Sequence, residues 1–294
     1  MKTNFSGTGV AMVTPFDKNN KVDYYSLSKL INYQVDNGID YILLMGTTSE
    51  AACLTETEKK EVIDFSKKEI AGRIPVMLGL GGNNTAEVIS KIKSTDFTGI
   101  DGILSVSPYY NKPNQEGLYR HFAEIAKTCP IPVVLYNVPG RTSVNILPHT
   151  TLRLAYDFQN IIATKEASGS MDNIMQIIKN KPEGFNVISG DDAISVPLIS
   201  VGAAGVISVA ANAYPKECSD MIKLAMNGNF KEASKIHYRL LDAIELMFAE
   251  GNPTGIKAFM SENDIIQNYL RLPLVQSSSN LLEKIKKENS KIKN

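Results

Sequence analysis

Cysteine and histidine are both scarce in this 294-residue chain, with three of each. The cysteines (Cys53, Cys129, Cys218) are odd in number and far apart, which excludes a disulfide framework and a cysteine-based zinc motif. The histidines (His121, His149, His237) are never spaced as a ligand pair, which argues against catalysis by bound zinc. Neither sign of charge is in excess: Lys plus Arg and Asp plus Glu each total 31. With no basic stripe, nucleic acid is not an expected partner. The one basic cluster, at 282–293, is interrupted by Glu283 and Glu288 and reads as a solvated helix end. No apolar run approaches the roughly 20 residues that span a bilayer. Residues 1–16 lack the charged start and continuous apolar stretch of a secretory leader. A cytoplasmic protein without a membrane partner is expected. What is there, 43% hydrophobic and 21% charged residues, is ordinary for a globular chain long enough to bury a full core.

The chain alternates short apolar runs with amphipathic segments of helical length. The runs are 8–14, 41–45, 75–80, 102–106, 132–137, 161–165, 186–189 and 205–210. Each is rich in Val, Ile and Leu, does not alternate with polar residues, and is bounded by Gly, Pro or Asn. A strand buried on both faces of a parallel sheet has this composition. Helical spacing is read at 25–37, 55–71, 115–127, 149–156, 172–180, 193–201 and 215–227, the second opening on the capping-box sequence TETE. Eight strands in about 225 residues fit an α/β fold of the (β/α)8 TIM-barrel type, covering 1–225. An open doubly wound sheet would offer a glycine-rich phosphate turn after its first strand, and VTPFDKNN at 13–20 is not one. From about Phe230 the rhythm becomes purely helical, so 226–294 is read as a small C-terminal helical extension.

In such a barrel, reactive groups project from the C-terminal ends of strands and the loops that follow. Lys165 ends the sixth strand. Desolvation there penalises an ammonium and favours the neutral amine that forms Schiff bases. The plainer alternative is a cation reaching water at the strand mouth. Tyr136 extends the fifth strand, where a phenol relays a proton or simply packs in the core. Arg141, in the next loop, offers a bidentate fork to a carboxylate or lies on the surface. Thr47 and Thr48, before Glu50, suit a carboxylate or oxyanion cradle, or an ordinary capping loop. Tyr109 and Tyr110 sit in a proline-bounded loop, placed to reach a site or a neighbouring subunit, or simply to pack their own loop. Asp191 and Asp192 supply too few donors for a metal and read as helix caps. The stretch 81–84 (GGNN) resembles a phosphate loop only in its glycines.

Taken in order, these strand ends are specific: GTTSEA at 46–51, SPYYNKP at 107–113, YNVPGRT at 136–142, ATKEASG at 163–169, SGDD at 189–192 and GVISVAAN at 205–212. Over essentially its whole length the chain resembles the dihydrodipicolinate synthase and N-acetylneuraminate lyase family of pyruvate-dependent aldolases. The resemblance implies that Lys165 forms an imine with pyruvate and that Tyr136 moves the nearby proton. Thr48 would link Tyr136 to Tyr110, which the family lends across a subunit interface, and Thr47 and Thr48 would hold the pyruvate carboxylate. Arg141 would bind the carboxylate of the aldehyde partner, with Gly190 and Ile207 lining the pocket.

The resemblance further implies condensation of pyruvate with aspartate 4-semialdehyde, on the route to diaminopimelate and lysine, in a homotetramer built as a dimer of dimers. No metal or organic cofactor is implied, because the imine itself activates the ketone. Sugar-acid members of the family use the same lysine and tyrosine but generally lack the arginine, which favours the small amino-acid substrate. A non-catalytic barrel that binds a keto acid has no use for the nucleophile. Asn83, Glu87 and Tyr109 match an allosteric lysine site. Glu56 and Lys59 stand where lysine-sensitive members often carry histidines, so inhibition by lysine is expected to be weak or absent. The family usually has Gly-Glu-Ser after the two threonines; this chain has Ser49-Glu50-Ala51.

Overall fold

A computed structural model describes residues 5–293. The first four residues of the segment read for a leader, and Asn294, lie outside the described residues. The eight strands are β1 Gly7–Ala11, β2 Tyr41–Leu44, β3 Val76–Gly79, β4 Gly102–Val106, β5 Val133–Asn137, β6 Ile161–Glu166, β7 Asn186–Ser189 and β8 Gly205–Ser208. Each pairs in parallel with its neighbours in chain order and β8 returns to β1, closing the barrel.

The helices between them are α1 Tyr24–Asp36, α2 Glu56–Ile70, α3 Thr85–Ser94, α4 Gln115–Thr128, the short α5 Pro139–Thr142, α6 Pro148–Asp157, α7 Met171–Asn180, α8 Ser195–Ser200 and α9 Pro215–Met226. Helix α2 starts as its sequence dictates: Thr55 and Glu58 satisfy each other's backbone N–H groups in a capping box. Helix α3 has no counterpart in the sequence reading. Asn84 caps it, and it buries only Val88 and Ile92. Beyond the barrel come α10 Phe230–Phe248, α11 Thr254–Glu262 and α12 Ser279–Lys293. Among the described residues no helix is long and apolar enough to cross a membrane.

Strand alternation splits the core in two. Residues such as Val10, Ile42, Leu78 and Ile103 face outward onto the helices. Tyr41, Leu43, Met77, Leu104, Val134, Tyr136 and Ile207 fill the barrel interior. Its N-terminal end is plugged by Phe5 and Tyr41, whose rings meet edge to face at 5.1 Å. Glycines make room for them: a Cβ on Gly9 would fall 2.3 Å from the Tyr41 ring, and one on Gly102 would fall 2.7 Å from Phe5. The free interior is therefore at the opposite end, where the strands terminate.

Candidate active site

Tyr136 and Lys165 are register partners on the adjacent strands β5 and β6. Residues paired in a parallel ladder present their side chains to the same face. Both turn into the barrel, 8% and 4% exposed, with the Lys165 amine 4.5 Å from the centroid of the Tyr136 ring. Among the described residues no carboxylate pairs with that amine. Gly190 packs directly on the lysine stem, where an added Cβ would lie 2.9 Å from Lys165 Cε. Ile207 belongs to the same interior cluster as Tyr136. Tyr136, Lys165 and Gly190, three of the expected site residues, thus meet at one end of the barrel.

The mouth above them opens into a cavity of about 830 Å³ whose walls include Thr47, Tyr109, Tyr136, Arg141 and Asn252. Thr48 is buried, and its hydroxyl accepts a hydrogen bond from Asn252 Nδ2 at 2.9 Å. That leaves the hydroxyl's own proton for a second partner. Arg141 Nη2 donates to the Asn252 carbonyl at 3.3 Å. Asn252 therefore ties the loop after β2 to the loop after β5. Sequence reasoning missed it, although the Asn-Pro dipeptide at 252–253 is a turn signal, and the Asn252–Pro253 bond is cis.

A second buried lysine was missed as well. Lys257 is fully buried and meets Glu50 Oε1 at 2.6 Å. Its ammonium also donates to the carbonyls of Thr14 and Tyr269. Burial pulls its pKa down to about 8, against the opposing pull of Glu50. Ion-paired and fully buried, it is a structural lysine; Lys165, on the strand beside Tyr136, has no such carboxylate partner among the described residues.

Tyr110 is not brought to the others. It lies on the rim loop at φ +72°, 91% exposed. Asn83 donates to the Tyr109 carbonyl at 3.2 Å, while Glu87 points to solvent from α3. Glu56 is held by Lys59 at 2.7 Å, with Lys91 at 3.7 Å. Asp191 caps the turn that follows β7, accepting from Ala193 N. Asp192 instead crosses to the loop after β8, accepting from the backbone of Val209 and Ala210, and its burial raises its pKa. Burial likewise pushes Glu166 up to about 7, against hydrogen bonds from Asn137 and Ser168. Among the described residues no group of three or more His, Cys, Asp or Glu is placed to hold a metal ion.

A lysine and a tyrosine side by side at the C-terminal mouth of a closed parallel barrel define a lyase of the class I aldolase type, whose reagent is the protein's own amine. The family model of the dihydrodipicolinate synthetase family matches residues 4–292. A relative in Parabacteroides distasonis named 4-hydroxy-tetrahydrodipicolinate synthase is 52% identical over 283 residues, covering 96% of this chain and 95% of the relative. The crystal structure of dihydrodipicolinate synthase from Aquifex aeolicus superposes with a TM-score of 0.95 at 42% identity, covering 98% of each chain. A monomeric dihydrodipicolinate synthase variant also superposes at 0.95, with 36% identity, covering 98% of this chain and 97% of that one. This chain belongs to the dihydrodipicolinate synthetase family.

Proposed function

We propose that this protein condenses pyruvate with L-aspartate 4-semialdehyde, the activity of a 4-hydroxy-tetrahydrodipicolinate synthase. The observation that carries the reading is the Lys165 amine beside the Tyr136 ring, with no carboxylate to neutralise it among the described residues. Lys165 attacks the ketone carbon of pyruvate, and loss of water leaves an imine. Its nitrogen draws electrons from the methyl group, which gives up a proton towards Tyr136 and becomes an enamine carbon. That carbon bonds to the aldehyde carbon of the second substrate, whose oxygen takes a proton. The amine of the second substrate then displaces Lys165 from the imine carbon, closing a ring and regenerating the free lysine.

Around this pair, Thr47 and Thr48 hold the pyruvate carboxylate, and Arg141 at the rim receives the carboxylate of the aldehyde. Gly190 and Ile207 shape the space around the imine. Arg141 favours the small amino-acid aldehyde over a sugar acid, since its guanidinium offers a fork rather than a row of hydroxyl partners. The route uses no resident metal or organic cofactor. The working assembly is a homotetramer in which the projecting Tyr110 enters a neighbour's site and meets Thr48. Asn83, Glu87 and Tyr109 line a lysine site made weak by the pairing of Glu56 with Lys59. The barrel 1–225 carries the chemistry, the extension 226–294 braces its mouth, and the enzyme works in the cytoplasm.

Borohydride reduction in the presence of pyruvate tests the reading. A stable mass addition confined to Lys165, together with turnover of pyruvate and aspartate 4-semialdehyde in a coupled assay, is expected. Failure to trap would leave a keto-acid-binding barrel. Trapping with cleavage of N-acetylneuraminate alone would replace the substrate.

A further inference from the structure

The ladder that places Tyr136 opposite Lys165 places Asn137 opposite Glu166 one residue on. By strand alternation this second pair faces away from the barrel interior. Both residues are only 1% exposed, yet neither is apolar. Elsewhere on β5 the same face carries Val133 and Leu135, which pack on the surrounding helices. Asn137 and Glu166 instead build a polar cluster. Asn137 Nδ2 lies 3.1 Å and 3.3 Å from the two Glu166 carboxylate oxygens and 2.8 Å from Asn145 Oδ1. Asn137 Oδ1 accepts from Ile146 N at 2.9 Å, and Ser168 Oγ donates to Glu166 at 3.0 Å.

Every partner of that carboxylate is neutral, and among the described residues no cation pairs with it. Burying a carboxylate without a cation costs stability, and an apolar pair of similar volume would be tolerated at least as well. The cluster therefore calls for a purpose other than holding the barrel together. Its side-chain contacts and the main-chain bonds beside them supply one, because they reach segments that carry site groups. Ile146 N closes the loop that bears Arg141. The main chain of the same two residues carries the effect further: Asn137 O receives Ala167 N and Glu166 O receives Gly190 N at 2.6 Å. A shift of the strand at 166 is thereby passed to Gly190, against the stem of Lys165.

We infer that Asn137 and Glu166 form a buried positioning unit that sets Lys165, Tyr136, Gly190 and the Arg141 loop in reacting geometry. The inference rests on the imine chemistry proposed above. Neither residue touches substrate; both act through the residues beside them. A polar network with all its bonds made fixes positions more narrowly than apolar packing does. A misplacement of one ångström costs on the order of 100-fold in rate.

The test compares E166Q, E166L and N137S in the full-length enzyme by kcat, pyruvate KM, thermal midpoint and single-turnover borohydride trapping. E166Q preserves the shape and the polar contacts, and it should retain turnover within about threefold of the parent. E166L takes an acceptor from Asn137 and Ser168 and should melt somewhat lower. Its kcat and trapping rate should nonetheless fall by roughly 30- to 100-fold, beyond what that loss explains, with pyruvate KM within about threefold. N137S, which makes only a small cavity and cannot reach the carboxylate, should lose kcat by roughly tenfold with the same split. Parent-like kcat in E166L, or losses in both variants that simply track the thermal midpoint, would overturn the inference. Should E166L fail to fold, N137S alone decides on the same criterion. If the parent itself does not trap pyruvate, the imine reading fails instead, and the two failures are told apart in one experiment.

Discussion

Glu50 and Lys257 meet at 2.6 Å with neither side chain exposed, joining the loop after β2 to helix α11 from the far end of the chain. Glu50 also accepts from Arg271 N, and Arg271 grips both carboxylate oxygens of Glu58. Removing one partner of a buried pair strands the other as an uncompensated charge, at a cost of roughly 3–5 kcal/mol. Lys257→Met should therefore lower the thermal midpoint sharply. The double change Glu50→Leu with Lys257→Met should recover most of the loss. A double variant no more stable than Lys257→Met alone would show that the pair is not the source of the effect.

Gly190 sits where a methyl group would press on the lysine stem, 2.9 Å from Cε. Gly190→Ala, whose Cβ would also fall 2.8 Å from Ala167 Cβ, should slow imine trapping by about 10- to 100-fold, since it displaces the Lys165 amine. Trapping at the parent rate, followed by mass spectrometry of reduced Lys165, would refute the contact's importance.

Arg141 and Thr48 share one tether, Asn252. Arg141→Ala should raise the KM for the aldehyde at least tenfold, the loss of one charge-assisted contact, and leave trapping of pyruvate nearly intact. Asn252→Ala frees both loops and should damage the use of both substrates. Steady-state kinetics with each substrate varied in turn separates the two outcomes; equal losses for both substrates in Arg141→Ala would dismiss its assigned role.

Two buried groups give the stability profile opposing slopes. Glu166 titrates at about 7 in the folded chain, against an ordinary 4.5. The folded state binds the extra proton, so this contribution is full below about pH 4.5 and is lost as pH rises through 7. His121, bonded to Thr85 Oγ1 on α3, is pushed by burial down to about 4 from an ordinary 6.5. Its contribution is full above about pH 6.5 and is lost as pH falls through 4. Each shift is worth at most about 3 kcal/mol. Melting curves from pH 4 to 8 should show Glu166→Gln gaining on the parent towards pH 8, and His121→Gln gaining towards pH 4. Parallel curves for parent and variants would discard the linkage.

The strands were legible because a strand buried on both faces must be apolar on both, and β4 and β7 begin and end where their runs do. The first run, read to Thr14, stops pairing at Ala11, and the Thr14 carbonyl turns away to accept from Lys257. Helix α3 escaped notice because two buried residues, Val88 and Ile92, make too narrow a stripe for periodicity to register. Lys165 and Tyr136 stood out because strand ends are where a barrel keeps its chemistry. Asn252 and Lys257 did not, because their partners Thr48 and Glu50 are distant in the sequence, and no local pattern announces a contact across that span. The polar pair Asn137 and Glu166 lay in plain view within two motifs, but only the ladder register shows that they meet.

Phe5 and Tyr41 give this vessel a floor, and its free interior lies at the other end. On the chemistry proposed for Lys165, a bound ketone would stand between that floor and any later arrival. The proposed reaction would then take its reactants in order, the ketone before the aldehyde.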